Sequence, residues 1–156
     1  LFKLLATLDL ASSLIDVLRA EGWASPTAKP LTFLAHSLGG VLLKQTLVML
    51  AGSGQREAFI ASIIKGIIFF GVPSQGMSIP DIFTMIDNQP NQEALIKAIS
   101  EKSDYLWQLE KQFAGLSLLG TIKTFWAYET KTTRSVVVCL KIHRRQYNYL
   151  IPLTRT

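Results

Sequence analysis

A short apolar run, Leu31-Thr32-Phe33-Leu34-Ala35, follows Pro30 and leads directly into His36-Ser37-Leu38-Gly39-Gly40, after which residues 41–50 carry a helical pattern. A strand that turns into a helix within five residues leaves few architectures open. The strand must lie in a sheet, and the helix must return across one of its faces. A second run, Ile63-Ile64-Lys65-Gly66-Ile67-Ile68-Phe69-Phe70, is β-branched and aromatic and ends at Gly71-Val72-Pro73, which predicts a second buried strand. Leu4, Leu8, Ala11, Ile15 and Leu18 are spaced to give one apolar helical face over residues 2–20, ended by Gly22 and Ser25-Pro26. Residues 79–114 read as helices starting near Pro80, Pro90 and Ser103, and strand-like segments return at residues 121–128 and 136–140. The alternation predicts an α/β fold with a mostly parallel sheet and a helical insertion.

Composition removes several classes. Of the 156 residues 49% are hydrophobic and 17% charged, which excludes a disordered segment. The single cysteine, Cys139, excludes an intrachain disulfide framework and a cysteine-based zinc cluster. The longest uncharged apolar stretch, residues 66–80, is broken by three glycines and two prolines, so no membrane span is expected. The net charge of +5 is uneven: residues 123–156 hold Lys123, Lys131, Arg134, Lys141, Arg144, Arg145 and Arg155 against one acid, Glu129. That tail has no nucleic-acid-binding module, and a solvated terminus accounts for it, so no nucleic-acid partner is expected. The opening apolar tract, with Lys3, is interrupted by Asp9 and Asp16 and lacks a cleavage pattern; a partial chain is expected rather than a signal peptide.

Ser37 is the residue with chemical potential. A serine on a tight strand-to-helix turn has its hydroxyl at the C-terminal edge of the sheet, where it can act as a nucleophile, and the N–H of Leu38 becomes an oxyanion donor at the helix N-terminus. Small residues two before and two after let such a turn close; Ala35 and Gly39 meet that need. The competing reading is a serine that only caps the helix. His36 points to the opposite face from Ser37 and is expected to be structural. No phosphate-cradling loop, dinucleotide fingerprint or metal cluster stands in the sequence.

The stretch Leu31-Thr-Phe-Leu-Ala-His-Ser-Leu-Gly-Gly-Val-Leu-Leu-Lys-Gln-Thr-Leu, with Lys65-Gly-Ile-Ile-Phe-Phe-Gly-Val-Pro-Ser-Gln-Gly-Met, resembles the serine esterase/lipase-like α/β-hydrolases. These are similar to the serine active-site-containing proteins and to fungal hydrolase domains that precede nucleotide-binding and repeat regions. Asn88-Gln-Pro-Asn91, Ser103-Asp-Tyr-Leu-Trp107 and residues 125–130 fit as well. The resemblance implies a partial α/β-hydrolase domain over residues 1–138, its helical insertion lid-like, its N-terminal strands and their second oxyanion donor missing, and a divergent basic tail over 139–156. It implies hydrolysis of a lipid or other acyl ester through an acyl-enzyme on Ser37, with no cofactor. The strand at Leu31 is then expected to lack one neighbour, and the stretch to be inactive alone. The alternative is a non-catalytic interaction or signalling domain of a larger fungal receptor-like protein. An intracellular, cytoplasmic location is expected, with the mitochondrion or the endoplasmic reticulum surface as alternatives, and peripheral membrane association is open.

Order and position offer candidates for two further triad members. His143 stands after Ser37 and a carboxylate, as in these enzymes, though it is closer than usual and flanked by Arg144 and Arg145; an incidental exposed histidine is the other reading. Glu129 ends the third strand-like segment, where an acid would orient a histidine or where it would simply be an exposed strand-end glutamate, with Asp81 as the weaker alternative. Ser74 replaces the family's usual histidine. Met77, Ile79, Phe83, Met85, Tyr105 and Trp107 are candidates to line an acyl pocket or to be ordinary core.

Overall fold

The computed structural model describes residues 2–80, 82, 92–101, 103–127, 131–132 and 137–138. Glu129, His143, Asp81, Phe83, Met85 and the whole stretch 139–156 lie outside the described residues.

Helix α1 spans Phe2–Ala20, as the apolar spacing predicts. Its end is a Schellman motif: Gly22 takes φ 81°, its N–H bonds Arg19 O at 3.1 Å, and Trp23 N–H bonds Leu18 O at 2.9 Å. Strand β1 (Leu31–His36) then leads through Ser37 into α2 (Leu38–Ala51). A further helix, α3 (Gln55–Ile63), runs directly into β2 (Ile64–Phe70). After β2 come α4 (Gln92–Ile99) and α5 (Asp104–Ala114). The Ser103 hydroxyl starts α5 by accepting from Leu106 N–H and donating to Ala98 O. A 3₁₀ turn, Ser117–Gly120, precedes β3 (Lys123–Ala127). Two short strands, β4 (Lys131–Thr132) and β5 (Val137–Val138), pair antiparallel as a separate small sheet.

The main sheet is parallel throughout, in the order β1-β2-β3. Helical crossovers between successive strands permit this arrangement. Because side chains alternate across a strand, the register sorts the residues into two faces. Phe33, Ile67 and Thr124 share one face with Ala35, Phe69 and Trp126; Leu34, Ile68 and Phe125 share the other with His36, Phe70 and Ala127. The first face carries the core: Ala35, Ile67 and Phe69 pack with Ile15 and Leu18 of α1, Leu43, Leu47 and Leu50 of α2, and Phe113 of α5. Helix α2 is buried along most of its length, which fits its nearly uninterrupted apolar sequence. On the second face Leu34 is 71% exposed, so β1 is not buried on both sides as its apolar run suggested. β1 pairs with β2 alone, leaving its other edge bare among the described residues. No helix among the described residues is long and apolar enough to cross a membrane.

Candidate active site

The three strands end side by side. Ser37 N–H donates to Phe70 O at 2.9 Å, and Gly71 N–H donates to Ala127 O at 2.8 Å, so the ladder continues one residue past β1 and past β2. Open α/β sheets place their ligands at this C-terminal edge. Ser37 stands there with φ 51° and ψ −129°. Among the described residues it alone, apart from glycines, has a positive φ. A side chain in that region costs on the order of 1–3 kcal/mol, and the surrounding packing must hold it.

The turn closes because α2 begins at once. Gly40 N–H bonds Ser37 O at 3.0 Å, which brings the first turn of α2 under the serine. The Ser37 side chain makes no capping bond to that helix, so the hydroxyl is left available at the sheet edge. Leu38, the first residue of α2, has an N–H with no carbonyl one turn back to receive it, the condition an oxyanion donor requires. The Leu38 side chain packs beside Ile82 and Ile99.

The close approach expected at Gly39 falls one residue later. A Cβ on Gly39 would meet nothing within 4 Å, whereas one on Gly40 would lie 2.1 Å from Val72 Cγ2. Val72 belongs to the loop that follows β2, so Gly40 is where helix and loop touch. His36 is exposed, in line with Thr32 and Leu34, rather than packed in the core.

Behind the turn lies a group that the motif reading overlooked. Lys44, two helical turns beyond Ser37, has a fully buried side chain. Its Nζ donates to Ser74 Oγ at 2.6 Å and to Glu110 Oε1 of α5. The ammonium also sits 4.5 Å from the Trp126 ring and 5.5 Å from those of Phe69 and Phe113. Those rings pack on one another, Phe69 stacked on Trp126 at 4.3 Å and edge-on to Phe113 at 5.9 Å. Burial pushes the Lys44 ammonium below its ordinary range, against the opposing pull of the Glu110 charge and hydrogen bond. The available signal was a lone charge inside Val41-Leu42-Leu43-Lys44-Gln45-Thr46-Leu47, since a cation on a helix apolar all round has to find a partner.

The residues considered for an acyl pocket separate. Met77 packs with Ile82 and Ile99, while Tyr105 packs against Val41, Leu106 and Leu109. Tyr105 OH donates to Gln45 Oε1 at 3.2 Å, and burial pushes its phenol up against the opposing effect of a bond with Thr7. Ile79 and Trp107 are exposed, the latter 3.8 Å from the Lys111 ammonium. Glu129 follows Ala127 by two residues in sequence, and both it and His143 lie outside the described residues. Among the described residues no group of three potential ligands could hold a metal ion.

No family model matches the chain. It is similar to Protein SERAC1 of Mus musculus, with 28% identity over 103 residues, which is 66% of this chain and 15% of that protein. In three dimensions it is similar to the mature lipase BlEst2 of Bacillus licheniformis, with a TM-score of 0.52 and 14% identity over 84% of this chain. The match takes in 50% of the lipase chain. Three parallel strands, a serine turn at their C-terminal edge and this structural likeness identify the architecture as a partial α/β-hydrolase fold.

Proposed function

We propose that the chain is the nucleophile-bearing part of a serine hydrolase acting on an acyl ester. The observation that carries this reading is the backbone of Ser37, held at φ 51° between β1 and α2 with its hydroxyl unused as a cap. A nucleophile elbow needs a serine on a strained strand-to-helix turn of this kind. Ser37 Oγ attacks the ester carbonyl and gives up its proton, Leu38 N–H donates one hydrogen bond to the developing oxyanion, and the alcohol departs with that proton. Water then releases the acid from the acyl-enzyme. Glu129 and His143 are the proposed orienting acid and general base, and residues 1–138 the hydrolase part. The structural likeness to a lipase supports an ester or lipid substrate.

Turnover of short- and long-chain p-nitrophenyl esters by the intact protein tests the reading. Ser37→Ala should abolish turnover while leaving the circular-dichroism spectrum unchanged, because triad members act as a unit. Turnover that survives in the folded variant would contradict the proposal.

A further inference from the structure

We infer that Lys44 is a positioning residue for the Ser37 turn, acting through the loop that follows β2. The inference rests on the reading of Ser37 as a nucleophile. Lys44 is the one charged residue in α2, and its side chain reaches no solvent. A buried ion pair is weak evidence for stability, because apolar residues of similar volume often do as well in its place. What distinguishes this ammonium is the set of elements it joins. It leaves α2, bonds the loop at Ser74, bonds α5 at Glu110, and lies against rings from β2, β3 and α5.

The path from Lys44 to Ser37 is short and continuous. The Ser74 hydroxyl accepts from Lys44 at 2.6 Å, and Ser74 N–H bonds Val72 O at 2.8 Å, folding the loop back on itself. The Val72 side chain fills the space over Gly40 that a Cβ would need. Gly40 N–H holds Ser37 O, and Ser37 N–H holds the carbonyl of Phe70, the residue from which the loop departs. Both glycines that frame this loop, Gly71 at φ 52° and Gly76 at φ 86°, give its backbone freedom that a bond to Ser74 removes. Release of Ser74 frees Val72 to move off Gly40. The first turn of α2, with the Leu38 N–H, then loses its stop.

The test is the rate at which a fluorophosphonate labels Ser37 in the intact protein. Lys44→Met keeps the length of the side chain and leaves Glu110, 31% exposed, to be hydrated. Lys44→Met and Ser74→Ala should each slow labelling by about tenfold or more, through the maximal rate constant rather than probe binding, as expected of displaced reacting groups. The double variant should be no slower than either single one, because both break the same link. Ser74→Thr, which keeps the hydroxyl, should restore the rate. A purely structural role would lower the melting temperature and leave labelling of the folded variants unchanged, and that result overturns the inference. Should Lys44→Met fail to fold, Ser74→Ala and its threonine rescue decide alone. Absence of Ser37 labelling in the wild type overturns the nucleophile reading and this inference together; normal labelling in all variants overturns this one only.

Discussion

Gly40→Ala examines the contact on which the serine turn rests. Alanine is the better helix former by about 1 kcal/mol, so propensity alone predicts a more stable protein. The new Cβ would, however, lie 2.1 Å from Val72 Cγ2, 2.7 Å from Cγ1 and 3.0 Å from Cβ. All three atoms of the valine lie too close, so a rotamer change alone does not relieve the clash. The loop has to shift, and Val72 is also packed against the main core and the Val41 cluster. Overpacking of this kind costs about 1–3 kcal/mol, and three simultaneous clashes place it toward the upper end. The net expectation is a loss of about 1–2 kcal/mol. Gly39→Ala is the internal control: its Cβ meets nothing within 4 Å, so it should gain up to about 1 kcal/mol. Urea unfolding of the two variants should therefore give midpoints separated by about 1 M with unchanged slopes, given typical slopes of about 1–3 kcal/mol/M. A Gly40→Ala protein as stable as Gly39→Ala would refute the packing argument.

Phe69 is fully buried and contacts both Trp126 and Phe113, so Phe69→Ala should cost about 3–5 kcal/mol in the same assay, whereas a loss below about 1 kcal/mol would contradict the packing of these three rings. Lys44 has a folded-state pKa held below its ordinary 10.5, so the unfolded chain binds more protons between those two values and stability rises with pH across that window. Unfolding free energies measured from about pH 7 to about pH 10 should therefore show a rise in the wild type that is reduced in Lys44→Met; parallel curves would count against the burial of the charge. Leu34 is 71% exposed on the second sheet face, so Leu34→Lys should change stability by no more than about 0.5 kcal/mol, and a loss above about 2 kcal/mol would reveal that other sequence covers that face.

The elements with a strong apolar signal were legible before the structure. The spacing of Leu4 to Leu18 marked α1, and the runs at Leu31 and Ile64 marked β1 and β2, because burial on the core face demands those residues. Helix α3 was not foreseen, since Gln-Arg-Glu-Ala-Phe-Ile-Ala-Ser-Ile has little periodicity and is held by packing of Ile60, Ala61 and Ile63. The exposure of Leu34 was misread for a related reason. An apolar run says that a strand suits burial on two faces but not whether the covering layer is present. The strand-turn-helix context located Ser37, and local sequence could go no further. The crowding at Gly40 depends on Val72, and the partners of Lys44 lie 30 and 66 residues away. Contacts of that separation leave only an indirect trace, here a lysine among leucines. His36 was expected to be structural, but it shares the sheet face of Leu34 and is exposed, away from the core face. Glu129 and His143 lie outside the described residues, and their roles belong to the proposal alone.

The central claim is that Ser37 is held as a nucleophile. Mass-spectrometric mapping of the residue modified by a fluorophosphonate in the intact, folded protein tests it most directly. The account predicts a single adduct on the peptide containing Ala35-His36-Ser37-Leu38-Gly39, lost on heat denaturation before labelling and absent in Ser37→Ala. No adduct on the native protein, an adduct on another serine, or equal labelling of wild type and Ser37→Ala would contradict it.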